Sequence, residues 1–166
     1  IINDNPPLYM SVTQEVITGF EITGVNISAG ASCDLANFAL TASGGTAPFV
    51  VTRGGQVIAN SLTFDFSRSD AARDIVITDA DGLTAEYTLP FVREYFFGNL
   101  TQDKKLAGTD IKINTTNSGL GSPLALEYSI DGINWQSSNF FPLVEPGPRW
   151  IYLRDSLGCV KLSATN

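Results

Sequence analysis

The chain has no histidine, and that absence narrows its chemistry more than any residue it contains. Without imidazole there is no Ser-His-Asp or Cys-His relay, and the usual general base and commonest metal ligand are missing. Two carboxylates could still hydrolyse a glycoside. The acidic residues, however, stand mostly in turns or at outward strand positions, with no converging pair in the pattern. Neither an enzyme nor a cofactor is expected. Cationic side chains are scarce too: 10 Lys and Arg against 17 Asp and Glu leave a net charge of −7. A negative surface repels phosphates, so nucleic acid is not an expected partner. No apolar run approaches the roughly 20 residues that cross a bilayer as a helix, and no signal peptide is visible, so no membrane insertion is expected. Methionine occurs once, and the chain begins Ile-Ile-Asn-Asp-Asn. The expectation is a piece or processed product of a longer protein.

What is abundant is Thr, Ser, Val, Ile and Phe, the composition of strands. One ten-residue segment occurs twice. Arg73-Asp-Ile-Val-Ile-Thr-Asp-Ala-Asp-Gly82 is echoed by Arg149-Trp-Ile-Tyr-Leu-Arg-Asp-Ser-Leu-Gly158. Both begin with Arg, reach Asp six residues on and Gly three later, at an offset of 76 residues (149 against 73, 158 against 82). Upstream, Gly-Gly-Thr-Ala-Pro48 is echoed by Gly-Ser-Pro123. An offset near half the chain length predicts two tandem copies of one unit. Each copy, of roughly 80 residues, can hold a small core.

Alternating stretches predict strands at Leu8–Thr13, Val16–Ser28, Asn37–Ala42, Phe49–Thr52, Ser61–Phe66, Asp74–Thr78 and Thr84–Leu89. After Pro90 the rhythm resumes at Glu94–Phe97, Asp110–Thr115, Leu124–Ile130, Ile133–Gln136, Asn139–Phe141, Arg149–Arg154 and Val160–Ala164. Gly-rich clusters and Asp131-Gly132 mark the turns. This spacing predicts an all-β sandwich or barrel in each half, residues 1–89 and 90–166, with a proline-containing linker at 1–8. Period two then sorts the faces. Ile75 and Ile77 face the first core, and Ile151 and Leu153 the second. Trp150, Tyr152 and Arg154 point outward, where the first copy has Asp74, Val76 and Thr78. Exposed aromatics mark contact surfaces, so these three are the candidate partner or glycan site. Trp135 is expected in the core.

Tyr128-Ser-Ile-Asp-Gly-Ile-Asn-Trp-Gln-Ser-Ser-Asn-Phe140, then Leu143-Val-Glu-Pro-Gly147, then Ile151-Tyr-Leu-Arg-Asp-Ser-Leu-Gly-Cys159 resembles the repeat modules of giant secreted surface proteins of Bacteroidota, including the SprB-type repeats of gliding-motility adhesins. Ser43-Gly-Gly-Thr-Ala-Pro-Phe49 and Val76-Ile-Thr-Asp-Ala-Asp-Gly82 fit the same pattern, with Asn5-Pro-Pro-Leu8 as an inter-module linker. The resemblance implies two tandem immunoglobulin-like β-sandwich modules, export to the cell surface, and service in an adhesin or surface filament. Expected partners are neighbouring repeat modules, other surface-protein subunits or glycans. In that family an early Cys often faces the late Cys of its own module. Here Cys33 holds an early position and Cys159 a late one, in different modules, with Leu83 and a site near Leu106 at the complementary places. A bridge needs Cα atoms within about 7 Å. End-to-end modules are expected to hold these two cysteines tens of ångströms apart. A Cys33–Cys159 disulfide would need modules folded back side by side, and two buried free thiols are the expectation.

Three smaller motifs remain. Asp79-Ala-Asp81-Gly82 has carboxylates at alternate positions, as calcium loops do, but lacks a third Asp and a closing Glu, so a hairpin turn is favoured. Asp155-Ser156-Leu157 resembles the O-glycosylation triplet of Bacteroidota, with Ser156 as acceptor. Asn26, Asn99 and Asn114 begin Asn-x-Ser/Thr triplets. Two alternatives to the adhesin reading stay open: a carbohydrate-binding accessory module of a secreted glycoside hydrolase, and a structural component of a phage or filament.

Overall fold

The computed structural model describes residues 19–165. The strand expected at Leu8–Thr13 and the 1–8 linker lie outside them. Thirteen strands follow: β1 (Glu21–Ala29), β2 (Leu35–Ser43), β3 (Val50–Arg53), β4 (Gln56–Ala59), β5 (Thr63–Ser67), β6 (Asp74–Thr78), β7 (Thr84–Thr88), β8 (Tyr95–Lys105), β9 (Gly108–Asn117), β10 (Leu126–Ser129), β11 (Phe140–Val144), β12 (Arg149–Asp155) and β13 (Val160–Thr165). Every strand pairing among them is antiparallel.

Two sheets make the first module, β1-β2-β5 and β4-β3-β6-β7. Alternation aims Phe38 and Leu40 of β2 and Phe64 and Phe66 of β5 at Val51 of β3 and Ile75 and Ile77 of β6, and all are buried. The second module repeats the plan with β8-β9-β11 against β10-β12-β13. Its core is Ile111 and Ile113 of β9, Phe141 and Val144 of β11, Tyr128 of β10 and Ile151 and Leu153 of β12. The counterpart of β4 shrinks to a single bridge, Tyr128 to Gln136. In each module one of the two facing sheets carries the repeated segment as an inner strand, β6 or β12. This is an immunoglobulin-like sandwich, present twice.

The alternation expected of the repeat is visible residue by residue. Ile75, Ile77, Ile151 and Leu153 are all 2% exposed or less. Local differences from the strand pattern have physical causes. The sequence Gln56–Ala59 carries no clear alternation, yet it pairs with β3 because Arg53-Gly54-Gly55 turns the chain at positive φ. Ile133–Gln136 alternates, but most of it is spent on the turn at Asp131. Strand β8 runs on to Lys105 through polar residues that alternation misses, because that stretch is exposed at a sheet edge.

Truncating Leu153 to Ala should cost about 2–5 kcal/mol of stability, and Ile77→Ala a similar amount, since each leaves a cavity between two sheets. Urea unfolding followed by tryptophan fluorescence measures the first, because Trp135 and Trp150 both lie in the second module.

Candidate contact surface and inter-module clamp

Asp79 and Asp155 occupy the same place in the two copies, at the end of β6 and of β12, and both are buried. Each uses Oδ1 to brace the turn that follows. Asp79 accepts the N–H groups of Asp81 and Leu83 at 3.0 and 2.8 Å. Asp155 accepts those of Leu157 and Cys159, both at 3.0 Å. The Oδ2 atoms differ. That of Asp79 takes the N–H of Thr46 in its own module, at 2.9 Å. That of Asp155 takes Arg68 Nη1 of the other module, at 2.7 Å. A turn brace in the first copy has become an inter-module ion pair in the second. Both partners of that pair are nearly sealed from water, at 1% and 4% side-chain exposure.

The paired carboxylates of Asp79-Ala-Asp81 therefore face differently from a cation loop. Asp79 turns both oxygens toward backbone donors, and Asp81 is exposed. Burial pushes the Asp79 carboxyl up, but N–H groups from four residues outweigh it and hold it below the ordinary range.

Beside the ion pair, Cys33 and Cys159 form a disulfide, with Cα atoms 5.1 Å apart. The expectation of two free thiols is overturned, and so is its premise. The modules need not fold back on each other, because both cysteines already sit at the facing poles. In the first module Asp34, Ser67, Arg68, Arg73 and Pro90 are tied together at one end: Arg68 N–H donates to Asp34 O, and Arg73 donates to Ser67 O and Pro90 O. Cys33 lies in the β1–β2 loop at that end, where the chain also leaves. In the second module Glu94, Ser118 and the 155–161 turn share the end where the chain enters, through Ser118 N–H to Glu94 O and Lys161 Nζ to Glu94 Oε1. Strand direction, not separation along the chain, decides which loops meet.

The rest of the junction is apolar and close-fitting. Val92 is buried in the first core, Leu157 packs against that core, and Leu124 packs against both. Val92 also bridges to Ser122. At Gly121 (φ 76°) a Cβ would lie 2.4 Å from Phe91 O, so only glycine permits this approach. Arg73 stacks over Phe38, Phe66 and Phe91 while its Nη2 donates to Pro90 O at 2.6 Å. Sequence reasoning missed Arg68 and Arg73. The shared Arg at the start of the repeat was a signal for Arg73. Arg68 left none, because at the same offset the second copy has Val144.

The outward face of β12 holds the aromatic residues. Trp150 is 55% exposed, and Tyr152 and Arg154 are half-buried. Trp135 is not in the core as expected. It lies on this outer face, its ring 6.2 Å from that of Tyr152 at 68°, with the Arg154 guanidinium 4.2 Å above it. The short turn from β10 carries Trp135 over the sheet instead of under it. Glu127 Oε2 accepts from Arg154 Nε and Nη2 at 3.0 and 2.6 Å. The turn itself is fixed by Asp131, whose carboxylate accepts from Ile133 N, Asn134 N, Asn134 Nδ2 and Ser129 Oγ. Those hydrogen bonds, from Asn134 above all, hold the Asp131 carboxyl far below its ordinary pKa. At Gly132 a Cβ would come within 2.9 Å of the Tyr152 ring, so the turn rests on that phenol. Leu162 and Val160, opposite Tyr152 and Arg154 on β13, extend the apolar surface and are exposed, as is Ile133. The matching face of the first module presents Asp74, Thr78, Thr84, Glu86 and Thr88. Ser156 is exposed in the β12–β13 turn, as are Asn26 and Asn99 on their strands, while Asn114 donates to Asn99 and Thr101.

Neither a protein-family model nor a curated protein matches the chain. Among solved structures it is similar to the three N-terminal domains of the Highly Immunogenic Outer Capsid protein (Hoc) of bacteriophage RB49. The identity is 17% and the TM-score 0.45, over 89% of this chain and 57% of that one. No helix among the described residues is long and apolar enough to cross a membrane.

Two outcomes are expected from the clamp. Replacing Arg68 with Leu leaves Asp155 buried without its cation and should cost about 3–5 kcal/mol in urea unfolding at constant oxidation state. Acid should also destabilise the protein. Asp79 and Asp131 have folded pKa values below their unfolded ones, so their contribution is complete above the ordinary carboxylate range and is lost as pH falls through the folded values. Thermal melts from neutral pH downward should be flat to about pH 5 and then decline.

Proposed function

We propose that the two modules form a rigid, non-catalytic spacer of a longer surface protein, of the adhesin or filament kind that the Tyr-Ser-Ile-Asp-Gly and Asp-x-x-Gly-Cys patterns suggest. One observation carries this reading: the junction is closed by a covalent bond and a buried ion pair at once. The interface is a clamp, with Leu124 shared by both cores. The disulfide closes a loop across 126 residues, which on the chain-entropy model opposes unfolding by on the order of 4–5 kcal/mol. A disulfide of this kind suits an oxidising, extracellular setting. The module pair would set distance and direction, and the aromatic face of the second module would make the specific contact.

A glycan-binding accessory module is the second reading. It is favoured by Trp150, whose exposed indole stands beside the fixed Trp135–Tyr152–Arg154 cluster as a stacking platform does. Small-angle scattering of the oxidised protein against a Cys33→Ser/Cys159→Ser variant tests the spacer. The wild type should fit one fixed arrangement, and the variant should stay folded with a wider spread. A wild type that needs a broad ensemble would remove the reading.

The two aromatic residues should behave differently when replaced. Trp150→Ser should leave the melting temperature within a few degrees and abolish binding to whatever partner or glycan an array identifies. Tyr152→Ser should destabilise the second module by about 1–3 kcal/mol, because Trp135 and the Gly132 turn rest on its ring. Differential scanning calorimetry separates the two.

A further inference from the structure

Because the modules share one fold, the internal junction is a meeting of two unlike poles, and each chain keeps one spare pole of each kind. The first module's spare pole is the end bearing Thr46 and the Asp79–Leu83 turn, the counterpart of the surface that the second module presents at the junction. The second module's spare pole is the end bearing the β8–β9 turn and residues 145–149, the counterpart of the surface that supplies Cys33 and Arg68.

These spare poles differ in charge, one acidic and the other balanced. The first carries Glu21, Asp79 and Asp81 with no basic side chain. All the Lys and Arg of residues 19–89 are Arg53, Arg68 and Arg73, and Arg68 and Arg73 are held at the junction while Arg53 pairs with Asp70. The second carries Lys104 and Lys105, both exposed, and Arg149. It also carries Asp103, which pairs with Lys105 at 2.5 Å, Asp110, which takes the N–H of Leu143, and the exposed Glu145, so its cations and carboxylates balance. Leucine supplies the apolar part. Leu106, at the tip of the β8–β9 turn, is wholly exposed. Leu143 is exposed too, turned out by a bulge between Phe141 and Val144 and held at φ 49°, a left-handed state costly for a leucine. Its backbone lies against Gly108, next to that turn.

Positions also correspond across the two kinds of contact. Leu106 stands in the loop equivalent to that of Cys33. Leu83, exposed, stands where the second module has Cys159. Asp81 stands where the second module has Leu157, which packs on the neighbouring core. We propose that a second copy of this chain docks head to tail, its Asp79–Leu83 pole on the Leu106–Leu143 pole. Leu83 meets Leu106 where the internal junction has its disulfide, and Asp81 faces Lys104. Such a heterologous contact does not close on itself, so it yields linear chains of copies. It does not use the aromatic face.

Sedimentation velocity of the oxidised full chain over a concentration series, at ~20 mM and ~300 mM salt, tests this. At low salt the mean mass should rise past that of a dimer, and high salt should reverse it. Leu106→Asp should abolish the rise. Asp81→Lys and Lys104→Asp should each weaken association about tenfold, and the two together in one chain should restore it. All three positions are exposed, so unchanged melting temperatures should confirm folding. A mass that stays monomeric throughout, one that stops at a closed dimer, or an association lost with Trp150→Ser and untouched by Leu106→Asp would overturn the proposal.

Discussion

The buried carboxylate of Asp155 holds the molecule's architecture together. It closes the β12–β13 turn with one oxygen and accepts the other module's Arg68 with the second. That turn places Cys159 against Cys33 and Leu157 against the first core. A buried ion pair is weak evidence of net stability, since desolvation offsets most of its attraction. Its value here is directional. Arg68 also donates Nε to Leu35 O at 3.0 Å, so the guanidinium plane is fixed from one module while it reads the position of the other. The disulfide then makes that orientation permanent under oxidising conditions.

Comparison of the two copies separates what the fold requires from what was added. Both need an aliphatic pair in the central strand, an Asp that braces the following turn, and a Gly at positive φ, and both have them at matching positions. The first module folds without an aromatic cluster on the outer face, where it presents threonines and carboxylates. The second module adds the cluster of Trp135, Trp150, Tyr152 and Arg154 there, with Trp150 its most exposed member. Its fixed geometry lowers the ordering cost of any contact it makes.

The functional reading rests on the junction. On the proposed reading, a clamp of this kind supplies the fixed spacing that a stalk or filament uses.

The sequence by itself determined the strand rhythm, the duplication, the aliphatic core pairs and the outward side of β12. All of these depend on local periodicity, which alternating residues spell out directly. Asp131-Gly132 was legible as a turn for the same reason, because its conformation is set within a few residues. The tertiary structure decided the pairing of Cys33 with Cys159, the Arg68–Asp155 contact and the position of Trp135. Each depends on which end of a sandwich a loop occupies, or on which side of a sheet a short turn carries its residue. Those follow from the number and direction of strands between two points. A single strand such as β4, hidden from alternation by its short length and two glycines, alters that count. Residues 126 positions apart therefore came together for a reason that no local pattern contains.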